Sequence, residues 1–310
     1  MSDASTTLHE ESLALSRELA DKGGIAGSLN NLGLVAWLQS DFGRATALFE
    51  ESLGLQRELG EMRRIAASLN QLGLVARYQG DYTRAVALTE EALALSRELG
   101  DRRGIAAELN NLGSVTLLRG DYATARALYE ESLAIKRELG DRQGIANSLG
   151  NLGHIARRQG DYGRATGLYE ETLALCRELG NKPGIAESLI SLGDVACTQG
   201  DWQRATALYA EGLAFYKEVR DKSSIAACLE GLAATACAQD QRERAARLFG
   251  AAEALREAIG APLPPADRAD HDRSVAVVRG GLSEGAFAAA WANGRAITLE
   301  RAVDYALRRG

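Results

Sequence analysis

The chain is poor in the residues from which most active sites are built. Only three histidines occur in 310 residues, His9, His154 and His271, and they lie in different parts of the chain. The four cysteines, Cys176, Cys197, Cys228 and Cys237, show neither CxxC pairing nor histidine spacing, which argues against a zinc site. All four fall at small or apolar positions of predicted helices and read as reduced packing residues. GxSxG, HExxH and GxxxxGK[ST] are missing, so no catalytic constellation is recognisable and the chain reads as a non-enzyme that needs no cofactor or metal. No apolar run approaches the length of a membrane span. The N-terminus, MSDASTTLHEES, lacks the basic start and apolar stretch of a leader, so a cytoplasmic, membrane-free protein is expected. Positive charge is in deficit: 36 Lys and Arg against 42 Asp and Glu leave a formal charge of −6, the opposite of a nucleic-acid surface.

What the chain does have is a period. Asn-Leu-Gly recurs with its leucine at Leu32, Leu112 and Leu152, and near-copies stand at Leu72 and Leu192. Gly-Asp-aromatic recurs at Gly80-Asp81-Tyr82, Gly120-Asp121-Tyr122, Gly160-Asp161-Tyr162 and Gly200-Asp201-Trp202. Equivalent residues differ by multiples of forty. Such self-similarity marks a solenoid, in which each unit buries its apolar face against its neighbours.

Residues 101–140 serve as the type unit. Ile105, Ala106, Leu109, Leu112, Gly113 and Thr116 form one helical stripe, and Ala125, Leu128, Tyr129, Ser132, Leu133 and Ile135 form a second. Gly-Asp precedes each half: glycine suits the left-handed residue that ends a helix, and aspartate accepts from the free N–H groups that begin the next. Two small-residue columns, Gly33, Gly73, Gly113, Gly153, Gly193 and Ala45, Ala85, Ala125, Ala165, Ala205, predict close approach of the two helices of a unit. A mid-helix glycine costs about 1 kcal/mol in propensity, so its recurrence implies a need for space. Glu-Glu pairs such as Glu50-Glu51 and Glu130-Glu131 recur on the second helix with arginine six or seven residues on. They read as a solvated convex face rather than as paired catalytic carboxylates.

These residues resemble the tetratricopeptide repeat (TPR). Its pattern of Leu-Gly, alanine twelve residues on and an aromatic four further is met by Leu112-Gly113, Ala125 and Tyr129, although Leu109 and Arg137 replace its opening aromatic and terminal proline. The period is forty rather than the usual thirty-four. Units of this length resemble those of the spindle-orientation adaptors built on Leu-Gly-Asn repeats, and they are similar to TPR sensor regions of bacterial signalling ATPases and transcription regulators. The resemblance covers about residues 5–258 and implies an all-α, right-handed superhelix of helical hairpins.

At the N-terminus, residues 1–20 match only the second half of a unit. Either a natural cap or a cut from a longer protein is implied, and the retained interior consensus favours the cut. Six hairpins are expected over 21–258, the sixth divergent, followed by a proline-interrupted C-terminal cap over 259–310. Three short helices are predicted there, near 266–279, 284–292 and 299–308, with Ser283 and Thr298 as N-caps of the last two. Val275, Val278, Leu282, Phe287, Trp291, Ile297, Leu299 and Val303 are expected to cover the end of the array. The tail resembles the C-termini of regulators that join an ATPase module to TPRs.

In TPR arrays the first helices line a concave groove, so the resemblance makes their non-core columns candidate contacts. Asn30, Asn70 and Asn110 share one column, and Asn31, Gln71, Asn111 and Asn151 its neighbour. Their amides suit either the backbone of an extended peptide or a ladder between adjacent first helices. Two further columns vary more: Leu34, Leu74, Ser114, His154, Asp194, and Trp37, Arg77, Leu117, Arg157, Cys197, with Arg158 beside the latter. Trp37 is read either as a groove contact or as a residue covered by a missing N-terminal hairpin. The groove is expected to be apolar and aromatic in its first two units and polar with basic residues in the fourth.

Two functions follow from this reading. One is a module that binds a protein or peptide in the groove, as the sensor or scaffold part of a bacterial signalling protein. The other is an autoinhibitory or self-associating regulatory segment, whose partner is an effector domain of the same full-length protein or a second copy met through the open half repeat.

Overall fold

The period produces helices because each half-unit carries one apolar stripe and ends in its own stop signal. In the computed structural model, which describes residues 2–263 and 265–308, the described elements are sixteen α-helices. In chain order they are α1 (Ser2–Glu18), α2 (Lys22–Leu38), α3 (Phe42–Leu59), α4 (Met62–Tyr78), α5 (Tyr82–Glu98), α6 (Arg102–Leu118), α7 (Tyr122–Glu138) and α8 (Arg142–Arg158). Then come α9 (Tyr162–Leu179), α10 (Lys182–Thr198), α11 (Trp202–Val219), α12 (Lys222–Ala238), α13 (Arg242–Ile259), α14 (Pro265–Gly280), α15 (Glu284–Ala296) and α16 (Leu299–Leu307). This is an all-α solenoid of helical hairpins closed by C-terminal helices. By its contacts the chain divides into two compact units, Met1–Asn151 and Leu152–Gly310, the division falling within α8.

The turns confirm the stop signals at atomic level. Gly80, Gly120, Gly160 and Gly200 all take positive φ, between 77° and 83°. The side chains of Asp41, Asp81, Asp121, Asp161 and Asp201 each accept a hydrogen bond from the backbone N–H three residues on. Where the consensus glycine is absent, Ala20, Ser40, Arg220 and Asp240 are forced into the same left-handed region.

In the first unit, successive helices from α1 to α7 pack side by side, and α4 also touches α6. The glycine column has a definite use there. A Cβ on Gly33 would lie 2.6 Å from Phe49 Cε1, and one on Gly113 would lie 3.1 Å from Tyr129 Cε1. The aromatic of the second helix thus sits against the bare backbone of the first. Ala45, Ala85 and Ala125 are wholly buried beside it.

The Glu50-Glu51 pair reaches outward to both neighbouring second helices rather than along its own. Glu51 pairs with Arg17 (3.2 Å), while Glu50 pairs with Arg84. Glu91 pairs with Arg57 (2.7 Å) and Glu131 with Arg97 (3.3 Å). These exposed pairs contribute at most about 1 kcal/mol each and act mainly to keep the second-helix face solvated.

In the second unit, α9 to α13 continue the hairpins, and α14, α15 and α16 fold back on them. Val278, Phe287 and Val303 are buried in one cluster with Phe249, Leu229 and Leu232, and Val275, Leu282, Trp291, Ile297 and Leu299 pack against it. Ser283 and Thr298 cap α15 and α16 as their positions predict. The helix-breaking stretch Gly260–Leu263 frees the chain to turn back, because Pro262 cannot extend α13.

Candidate functional site

In the first unit the amides form a ladder between first helices. Asn111 Nδ2 on α6 donates to Asn70 Oδ1 on α4 at 2.6 Å, and Asn151 Nδ2 on α8 donates to Asn110 Oδ1 at 3.5 Å. Asn110 Oδ1 also accepts from Lys136 Nζ at 3.3 Å, and that ammonium reaches Ser148 Oγ at 2.9 Å. Burial pushes the Lys136 amine below its ordinary pKa. Four of the amides are therefore brought together as rungs, whereas Asn30, Asn31 and Gln71 are not part of them. Asn31 is exposed.

The same unit carries an aromatic group at the ends of its first helices. Trp37 meets Tyr78 edge-on, with centroids 5.9 Å apart, and Phe42 stacks on Tyr78 at 5.7 Å. The Arg77 guanidinium lies 4.6 Å from the Tyr78 ring centre. Trp37 is half-buried against the hairpin that follows it. Trp37 Nε1 and Arg77 Nε are both buried without a hydrogen-bond partner. At the last turn of α2, α4 and α6, Leu38, Tyr78 and Leu118 stand 74%, 53% and 53% exposed, one residue per repeat.

The variable column beginning at Leu34 is matched to the second-helix aromatic fifteen residues later. Tyr129 Oη donates to Ser114 Oγ at 2.9 Å. In the second unit Tyr169 Oη meets His154 Nδ1 at 2.9 Å, and Tyr209 Oη donates to Asp194 Oδ1 at 2.8 Å. Where the aromatic has no hydroxyl, as at Phe49, the partner is Leu34, and the pair at Thr89 is Leu74. Much of this column's variation thus follows from a hydroxyl that needs a partner.

Around those tyrosines the second unit gathers charge. Arg157 Nη1 lies 3.6 Å from Asp194 Oδ2, and His154 Nε2 lies 3.8 Å from Glu187 Oε1. The neighbouring His154 imidazole holds the Glu187 carboxyl below its usual range. Burial raises the Tyr169 hydroxyl to about 12 and the Cys197 thiol to about 11, so both stay protonated and inert at neutral pH. Arg158 is exposed. Glu187, Tyr169 and Tyr209 belong to this cluster although the first-helix columns alone did not single them out. The signal for the tyrosines is the fifteen-residue offset between paired columns.

Comparison with known proteins agrees with the repeat. A family model described as tetratricopeptide repeat matches residues 64–138 and 144–218, and another of that description matches 25–61. No curated protein sequence matches the chain. Among solved structures, BtubC from P. vanneervenii is 23% identical with a TM-score of 0.62, over 71% of this chain and 93% of that one. A Rap protein complexed with competence and sporulation factor is 16% identical with a TM-score of 0.60, over 88% and 76%. NprR in complex with its cognate peptide NprX is 18% identical with a TM-score of 0.55, over 71% and 65%. At these identities the likeness is one of fold. No described helix is long and apolar enough to cross a membrane.

Proposed function

The chain belongs to the tetratricopeptide repeat family, and from that premise we propose that it is an interaction module whose first-helix face takes a protein or peptide partner. The observation that carries this reading is the row Leu38, Tyr78 and Leu118, set in register and left largely in water. Scattered exposed leucines are ordinary, but a regular apolar row beside an aromatic group is the mark of a surface that a partner covers. The half-buried Asn70 and Asn110 lie on the same helices. Their ladder uses one oxygen of each, and an amide has further hydrogen-bonding capacity for a backbone. The second unit, taken by itself, has the polar side chains Arg157, Arg158, His154 and Asp194 on its first helices. The complex of NprR with its cognate peptide NprX and that of the Rap protein with competence and sporulation factor lend support from the same fold. A role as sensor or scaffold in a bacterial signalling protein is the finer form of this proposal.

A photo-crosslinking residue placed at Leu118, compared with one at Glu90 on the second-helix face, tests the assignment. Adducts with other cellular proteins are expected at 118 and not at 90, and the Tyr78→Ala exchange should reduce them. Adducts confined to 90 would move the site to the opposite face.

A second reading, self-association or docking of an effector segment, is favoured by α1. Its Leu8 and Leu15 are 65% and 59% exposed, whereas Leu48 and Leu55 at the same places in α3 are half-buried. If α1 mediates association, sedimentation should show concentration-dependent oligomers that Leu8→Glu with Leu15→Glu abolishes. A monomer at all concentrations removes the self-association form of this reading.

A further inference from the structure

Arginines of α13 and α16 gather around two clefts at the C-terminal end of the chain, although the helices α13 to α16 taken together are close to neutral. The clefts, of about 740 and 500 Å³, open where α16 meets α13, and they share Arg247 and Tyr305. The larger also has Arg242 and Arg244, and the smaller Arg301 and Arg308. Two of these arginines have visible structural work. Arg242 Nη1 donates to the Gly281 carbonyl at 3.0 Å. Arg244 Nη2 donates to the carbonyls of Ala306 and Arg308 at 2.9 and 2.8 Å. That position normally pairs with a glutamate thirty-four residues earlier, and here Ala210 stands in its place, so Arg244 is free to tie down α16.

The other three are different. Arg247 lies 4.9 Å from the Tyr305 ring centre, and its Nε is buried without a hydrogen-bond partner. No described hydrogen bond or ion pair engages the guanidinium of Arg301 or Arg308. Asp304, the acid of the smaller cleft, is already paired with Lys217 Nζ at 3.0 Å. The hairpin itself does not call for Arg247, since the equivalent residues are Ala47, Ala87, Ala127, Gly167 and Ala207. Three guanidinium groups around one cleft repel each other until an anion joins them.

We propose that the smaller cleft binds a phosphate monoester, its dianion gripped by Arg247, Arg301 and Arg308 with Asn293 as a further donor. A phosphoryl group brings nearly two negative charges and three strong acceptor oxygens, which matches three forked donors; a single carboxylate brings one charge and two oxygens. Tyr305 holds the Arg247 plane in place through its ring face. A cleft of about 500 Å³ exceeds a bare phosphate and accommodates a small ester or a phosphorylated side chain with its flanking backbone.

The test uses the full chain and calorimetric titration with glycerol 3-phosphate, the peptide Ala-phosphoserine-Ala, its unphosphorylated form, and glutarate. Both phosphate esters are expected to bind at least about tenfold more tightly than glutarate, and the unphosphorylated peptide not at all. Equal binding of the two esters assigns the site to small metabolites, and preference for the peptide assigns it to a phosphorylated side chain. Affinity should weaken below about pH 6, where the dianion takes up a proton. Arg301→Ala should weaken binding about tenfold or more without changing the melting temperature, because its side chain has no partner within the fold. Arg247→Lys, which retains charge but loses the fork, should weaken it as well. Glutarate binding as tightly as the esters, or ester binding indifferent to Arg301→Ala, would overturn the proposal.

Discussion

Glycine plays two opposite parts within these helices, and the atoms beside it decide which. At Gly153 an added Cβ would lie 2.6 Å from Tyr169 Cε1, whereas at Gly54 nothing lies within 4 Å. Gly153→Ala should therefore destabilise the fold by about 1–3 kcal/mol through overpacking. Gly54→Ala should stabilise it by about 0.5–1 kcal/mol, since alanine holds the helix better and meets no obstacle. Urea titration of both variants checks the contrast; equal signs would refute the packing account. Glu108 is the other residue out of place. It is buried at a position where other units have Ser28, Ser68, Ser148 and Ser188, and its Oε2 is without a hydrogen-bond partner. Burial raises its pKa to about 7 from 4.5. The folded state thus holds a proton that the unfolded state releases near 4.5, so this contribution to stability is complete below that pH and is lost as pH rises through 7. Glu108→Gln should gain on the order of 2–3 kcal/mol over wild type at pH 8 and little at pH 4. A pH-independent difference between the two would show that the carboxyl does not titrate this way. Glu108 could be seen in the sequence as an exception to its column, but its burial could not.

At the scale of the helix, ends matter more than middles. Five second helices begin with a capping aspartate, and the sixth, α13, begins with Gln241, which makes no side-chain cap. Gln241 has φ −88° and ψ 58°, close to the capping geometry of Asp201 at −83° and 72°. Gln241→Asp should accordingly raise the melting temperature, with a gain of about 0.5–1 kcal/mol. An unchanged or lowered value would mean that the nearby fold resists the cap. Helix boundaries were legible because glycine and aspartate mark them by conformational preference alone. The asparagine columns were not, because an amide looks the same in sequence whether it faces a ligand or the next helix. The contact between Asn111 and Asn70 bridges forty-one positions, and only packing of α6 on α4 creates it.

At the scale of the molecule, the cap is part of the second unit's core. Leu248 and Phe249 are each 1% exposed, and their cover includes residues of α14 to α16. Deleting residues 260–310 should lower the melting temperature and promote association through the uncovered α12 and α13, because that apolar surface returns to water at about 25 cal/mol per Å². Calorimetry and size-exclusion chromatography check both effects. An unchanged transition in a monomeric chain would show the tail to be an appendage.

The order of the repeat was settled by sequence alone, since every unit repeats the same local choices of stripe, stop and cap. Fold class, helix positions and the eight apolar residues of the cap were readable for that reason. Tertiary structure decided which partner each variable side chain takes. Ser114, His154 and Asp194 vary along one column, and their hydrogen bonds to tyrosines of the second helix exist only because the two helices are packed together. The arginine clefts are of the same kind: Arg247 and Arg301 lie more than fifty residues apart, and their charges meet because α16 folds back across α13. Local propensity repeats along a chain and can be read from it. Charge and hydrogen bonding act through space, so they wait on the fold.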